Sequence, residues 1–339
     1  MKRVIIAFII AIAAIAVGLI CLMAYSVSRG SDTFSHENSG MKLVNTQNVS
    51  LDSIDSVNIL YQSDDVTFYT SDTNELILKE YMNYVPEDYE LSSVNKSGNK
   101  VTVKCGKQKL HIISFRLFSS STRIEIYLPA DYSNKLNVET SSGNINSDLS
   151  FTLSEFTASS SSGNININEV HSDRISASAS SGNITFQVAD GDRQFSTHSG
   201  NIKVLGGAGD SSFDASSGNI TIENASGHLE AEASSGNIDI MDSVGGGDIT
   251  TTSGNIKYNL TSLTEDLDLH ASSGDVRVSI PKEASFDFTA ETSSGDIRTY
   301  FDDVLSYNKK GNEASGIVGT NPNININIST SSGNIIVND

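Results

Sequence analysis

From residue 138 onward, apolar residues occupy fixed positions around a recurring glycine. Two and four residues after it stand Ile165/Ile167, Ile184/Phe186, Ile202/Val204, Ile220/Ile222, Ile238/Ile240, Ile256/Tyr258, Val276/Val278 and Ile335/Val337. Alternation with period two places each pair on one face of a strand. Five residues before the glycine stand Val138, Ala158, Ala177, Phe195, Phe213, Ala231, Ile249, Leu269, Ala290 and Ile328. Three residues before it only Thr, Ser or Ala occurs, a size that lets the chain round a corner without a clash. Each repeat therefore reads as two short strands joined at a Ser-Gly-Asn/Asp turn.

The turn glycines are Gly143, Gly163, Gly182, Gly200, Gly218, Gly236, Gly254, Gly274, Gly295 and Gly333. Their spacings run 20, 19, 18, 18, 18, 18, 20, 21 and 38. Ser315-Gly316-Ile317 divides the last gap into 21 and 17 and reads as an eleventh, degenerate copy. A period this short signals stacked coils, none of which can bury its apolar face alone. Gly191, Gly209, Gly227 and Gly245 each follow a turn glycine by nine residues, which marks a second bend in the coil. Glycine at both bends is expected to supply positive φ. The Asn that follows most turn glycines is expected to stack into a ladder. Residues 138–339 are thus predicted to form an all-β solenoid, with coils of about 18 residues and two strands per coil.

The rest of the chain follows other rules. Residues 48–137 show strand signals without the repeat, such as Val57-Asn58-Ile59-Leu60-Tyr61 and Arg123-Ile124-Glu125-Ile126-Tyr127-Leu128. They read as a β-rich capping module that shields the open end of the solenoid. Residues 28–47 are polar and read as a flexible tether. Val4 to Val27 carry no charge, and Lys2 and Arg3 precede them. That run predicts one transmembrane helix over residues 1–27, with a cytoplasmic N-terminus and an extracytoplasmic body. A cleaved signal peptide, ending near Ala24-Tyr25-Ser26, is the other reading.

Charge narrows the choice of partner. Residues 1–137 hold 13 Lys/Arg and 14 Asp/Glu, whereas residues 138–339 hold 9 and 27. So negative a repeat region excludes nucleic acid as a partner. The chain has only two cysteines, Cys21 and Cys105, which rules out a disulfide framework or a cysteine metal site.

Candidate chemistry is sparse. Catalysis on a β-helix needs converging acids, and the candidates are Asp190/Asp192, Asp210/Asp214 and Asp266/Asp268, all placed near bends. Gly245-Gly246-Gly247-Asp248 is the nearest approach to a calcium β-roll turn, and it occurs once. His36, His111, His171, His198, His228 and His270 have no metal-ligand spacing, and His198-Ser199 lacks a nucleophile elbow. The expectation is no catalytic residue, no metal and no cofactor.

The Ser-Ser-Gly-Asn/Asp-Ile blocks, with the lead-in Ile124-Glu125-Ile126-Tyr127-Leu128-Pro129, resemble the bacterial adhesin-like toast-rack family of β-strand-repeat envelope proteins. The resemblance spans about residues 50–339. It implies architecture and an envelope location, with some members encoded beside envelope-stress systems, and supplies no catalytic residues. The expected function is a membrane-anchored structural or interaction protein whose partner is an envelope protein or wall polymer. A carbohydrate-active β-helix enzyme and a calcium-dependent adhesion module are the alternatives.

Overall fold

The apolar pairs that follow the turn glycines do stack. In the computed structural model, which describes residues 40–107 and 121–339, Ile145, Ile165, Ile184, Ile202, Ile220, Ile238, Ile256 and Val276 are successive partners in one parallel ladder. On the other side of the turn, Val138, Ala158, Ala177, Phe195, Phe213, Ala231, Ile249 and Leu269 form a second. All sixteen are buried between the ladders. Several strands run through the second bend unbroken, as Ile145–Ser160 and Ile165–Ala179 do.

The core is filled by size matching. Phe151, Phe156, Phe186, Phe195 and Phe213 form a continuous aromatic file, with Phe186 and Phe195 stacked at 4.5 Å. Pairs of this kind contribute roughly 0.5–1.5 kcal/mol beyond the area they bury. Beyond Phe213 the interior turns aliphatic, through Ile222, Leu229, Ile240 and Ile249.

Both ends depart from sequential order. Strands Ser56–Leu60 and Asp65–Ser71 make a coil that pairs in parallel with residues 135–147 on one flank. On the other flank it pairs in parallel with Lys100–Lys104 and Thr122–Pro129. The earliest coil in the sequence is therefore second in the stack. At the opposite end, Asn325–Ser332 lies between residues 267–273 and Phe286–Ser294. Likewise Ile335–Asn338 lies between Val276–Ser279 and Ile297–Thr299. The spatial order of turn glycines is Gly274, Gly333, Gly295, so the final coil is inserted one place before the end.

Antiparallel strands occur only outside these inserted coils among the described residues. Glu75–Met82 covers Thr122–Pro129, Lys42–Ser50 covers Glu75–Met82, and Ser93–Ser97 covers Lys100–Lys104. At the other end Glu313–Val318 covers Phe286–Ser294 and pairs with Ser306–Tyr307. Phe301 plugs the core there, against Phe286 and Phe288.

Three expectations need correction. Residues 42–47, assigned to the tether, belong to strand Lys42–Ser50. The boundary at 137/138 is no break, because strands on both sides share parallel ladders within one compact unit, Met41–Asp339. The Gly316 copy is not a coil but part of an antiparallel cap. Its neighbours explain why: Gly311 and Glu313 replace the apolar and small residues that other turns carry at those offsets. The apolar run 4–27 lies outside the described residues, and no described helix is long and apolar enough to cross a membrane.

Candidate functional site

The turn glycines form one column. A Cβ on Gly218 would lie 1.7 Å from the Gly200 carbonyl oxygen, and the other repeat-turn glycines meet their stacked neighbour similarly. Of the ten only Gly274 has positive φ, so close approach rather than backbone hand demands glycine here. The second bend differs. Gly191 and Gly209 sit at φ +127° and +116°, where a side chain is strained.

Beside the glycine column runs the expected ladder. The side-chain oxygen of Asn201 accepts the Asn219 backbone N–H at 2.9 Å, and that of Asn219 accepts from Asn237 at 2.8 Å. The ladder starts at Asp65, passes through Asn255 to Asp275, crosses to Asn334 and ends at Asp296. Where Asp replaces Asn near the far end, an Arg two residues on pairs with it: Arg277 with Asp275 at 2.7 Å and Arg298 with Asp296 at 3.0 Å. The Thr three residues before the glycine has a role beyond small size. Thr197, Thr251 and Thr330 donate their hydroxyls to the glycine carbonyls of the adjoining coils at 3.0–3.1 Å.

Four of the six acids weighed for catalysis are engaged in this same scaffolding. Asp190 accepts the Ala208 N–H at 2.8 Å, Asp210 that of His228 at 3.1 Å, and Asp266 that of Asn325 at 2.7 Å. Asp268 accepts the Asn327 side-chain amide at 2.8 Å. Asp214 lines a shallow polar groove of about 330 Å³ with Ser178, Ser180, Ser196, His198 and Ser216. No buried acid faces that groove.

Three charged residues are buried among those described: Arg193, Glu80, and Glu125, which pairs with Arg123 at 3.1 Å. Arg193 is buried at a second bend, bonded to Ser211 Oγ and to the carbonyls of Ala189 and Gly209 at 2.8–2.9 Å. Desolvation lowers its pKa to about 10. In the N-terminal cap, buried Glu80 accepts the Ser92 N–H and hydroxyl, both at 2.9 Å, and Tyr61 donates to Ser92 at 3.0 Å. Burial, and then the Glu80 charge, push the nearby Asp64 carboxyl up to about 6.

Two histidines face carboxylates across coils, and His270 meets the Ser329 hydroxyl of its neighbour at 2.8 Å. His171 has Glu169 at 2.9 Å from Nε2 and Asp190 at 2.9 Å from Nδ1. His228 has Glu265 at 3.0 Å from Nδ1, which raises its pKa, and Asp248 at 3.7 Å from Nε2. Glu265 reaches His228 across Gly246, where a Cβ would lie 2.8 Å from the Glu265 side chain. This cluster could not be read from spacing, because its members come from three coils. The one sequence signal was Gly245-Gly246-Gly247. His36 and His111 lie outside the described residues.

The family model for Toastrack DUF4097 matches residues 54–338. This chain belongs to that family. The resemblance read from the Ser-Gly-Asn/Asp turns is thereby borne out, and the toast-rack chain is also similar to solved bacterial structures. One is a proposed adhesin of Parabacteroides merdae, 10% identical over 89% of this chain and 98% of that one, with a TM-score of 0.42. A proposed adhesin of Bacteroides fragilis is 13% identical, covering 87% and 97%, with a TM-score of 0.37. A proposed cell-adhesion protein of Clostridium sporogenes is 11% identical, covering 88% and 99%, with a TM-score of 0.25. No curated protein matches the chain.

Proposed function

We propose that this toast-rack protein is an interaction module of the bacterial cell envelope, held at the membrane by residues 1–27, with its adhesin-like body extracytoplasmic. Residues 28–41 would be the tether. The observation that supports this reading is a division of labour along the coils. Every strongly patterned position builds the stack, while outward columns, such as the one three residues after the turn glycine, vary in chemistry. That column reads Asn146, Asn166, Thr185, Lys203, Thr221, Asp239, Lys257 and Arg277 in ladder order. A rigid frame carrying variable outward columns suits display to a wall polymer or envelope protein, components of a stress-sensing apparatus included. Four of the six acids weighed for a carbohydrate-active enzyme, Asp190, Asp210, Asp266 and Asp268, bond neighbouring coils instead of converging on a cleft.

The test is binding of the full chain to isolated wall and membrane fractions, with T185A/K203A/T221A as the comparison. Saturable binding that the triple variant loses, at an unchanged melting temperature, is the expected result. Equal binding by both proteins, or none by either, would refute display through this column. Protease accessibility of the body in intact cells checks its location, and protection of the body would contradict it.

A further inference from the structure

We infer that His228, Glu230 and Asp248 form a surface site for a zinc-class divalent cation, with Glu265 orienting the imidazole. Their ligand atoms all lie within 4.8 Å of one another. His228 and Glu230 point outward from the same strand, and Asp248 is the register partner of Glu230 in the next coil. The register partner of His228 is Gly246, so no side chain covers the imidazole from that coil.

The hydrogen bond to Glu265 sets the tautomer. With Nδ1–H donated to that carboxylate at 3.0 Å, the Nε2 lone pair faces the Asp248 carboxylate at 3.7 Å. Two electron pairs facing each other repel unless a proton or a metal cation lies between them. Two donors about 2.0–2.1 Å from a tetrahedral zinc are about 3.3 Å apart, so a small side-chain movement closes the gap. A carboxylate behind a metal-bound histidine is the usual way that ring is aimed and made more basic.

His171 shows what the arrangement would be without such a role. Both its ring nitrogens have a carboxylate oxygen at 2.9 Å, which makes it a clamp between coils with no free donor. At His228 only one nitrogen is so held. Among the described residues no Lys or Arg forms an ion pair with Glu230, Asp248 or Glu265. Three carboxylates around one imidazole are thus left without a fixed counter-charge. One nitrogen and two oxygen donors favour zinc and its first-row neighbours over calcium, which prefers all-oxygen sets.

The cluster also accounts for Gly245-Gly246-Gly247. At Gly246 a Cβ would lie 2.3 Å from the Asp266 carbonyl oxygen and 2.8 Å from Glu265 Cγ. The register steps by two residues from Gly245 to Gly247 but by four from Leu263 to Leu267. The extra length carries Glu265 over the bare backbone to His228.

The experiment is zinc titration of the chelator-stripped full chain at pH 8, in competition with a chromophoric chelator. One site is expected, weakened at least tenfold in H228A and in D248N. E265Q is expected to lose about tenfold, as for other residues that orient a ligand. H198A should bind as the parent does, and all variants should melt alike. Unchanged zinc affinity in H228A, or equal loss in H198A, would overturn the assignment. Competition by calcium at equal concentration would overturn it too, by showing a carboxylate cluster with no part for the histidine.

Discussion

The coils from Gly143 to Gly254 and the coils at the two ends use the same ladders but are assembled differently. In the middle, each coil rests on its predecessor in sequence, and a short connection suffices. At the ends, residues 56–71 and 325–338 sit between coils that follow or precede them out of order. Both insertions place antiparallel strands outermost. A parallel coil always leaves another edge like itself, and an open edge templates pairing with other chains. Reversing direction outside an inserted coil ends the repeat. The middle therefore teaches how the stack grows, and the ends teach how it stops.

The sharpest way to break this comparison is truncation. Ending the chain at Thr320 removes the two strands that join residues 286–299 to the Gly274 coil. We expect a fall in melting temperature of about 10 °C or more, since several kcal/mol of packing is lost. A synthetic peptide of residues 321–339 should restore part of it by filling the vacant place. A truncated protein that melts like the parent would show that the inserted coil contributes little.

A second contrast is between glycines. Gly218→Ala forces a Cβ against the carbonyl of Gly200 and should cost about 2–4 kcal/mol in urea unfolding. Gly98, in a hairpin of the cap, has φ +59° and nothing within 4 Å. Gly98→Ala should therefore cost only about 1 kcal/mol. Equal costs would show that the column is not held by close approach.

The smallest effects concern pH, and they fall at the ends. The mid-stack ladder is asparagine, which does not titrate. Asp275 and Asp266 grip the inserted coil through the N–H groups of Asn334 and Asn325, which hold both carboxyls below the ordinary 3.8. Their contribution is present above that value and is lost as pH falls through the lowered pKa. Asp275→Asn keeps an acceptor at every pH and should flatten the acid limb of the melting curve by about 1–2 °C. Asp64 acts in the opposite sense. Its folded pKa of about 6 lies above 3.8, so stability falls as pH rises between the two values. Asp64→Asn should gain about 1–2 kcal/mol at neutral pH and nothing below about pH 4. A gain that persists into acid would rule out the charge as its cause.

The middle of the molecule was legible because each rule there is local. Offsets of two and four after glycine, and five before it, name buried apolar residues in each coil from Gly163 to Gly274. The Asn ladder could also be foreseen, because stacked identical residues must meet. The order at the ends could not, because Asn334 offers the same chemistry to Asn255 as Asp275 does. The Gly316 copy still carried a warning, in the wrong residues at Gly311 and Glu313. The reason for the turn glycines was misread, since close approach and positive φ select the same residue. The His228 cluster was hidden because its spacing is set by coil length and by one bulge.

The inserted final coil is the most direct thing to measure, through short-span crosslinking of cysteine pairs in a Cys21→Ser/Cys105→Ser background. His270 pairs with Ser329, and Ser329 with Glu291, across adjacent strands. With cysteines at these positions, 270 should link to 329 and 329 to 291, while 270 and 291, two strands apart, should not. A link between 270 and 291, with none between 270 and 329, would mean that the coils stack in sequence order and that the inserted end does not exist.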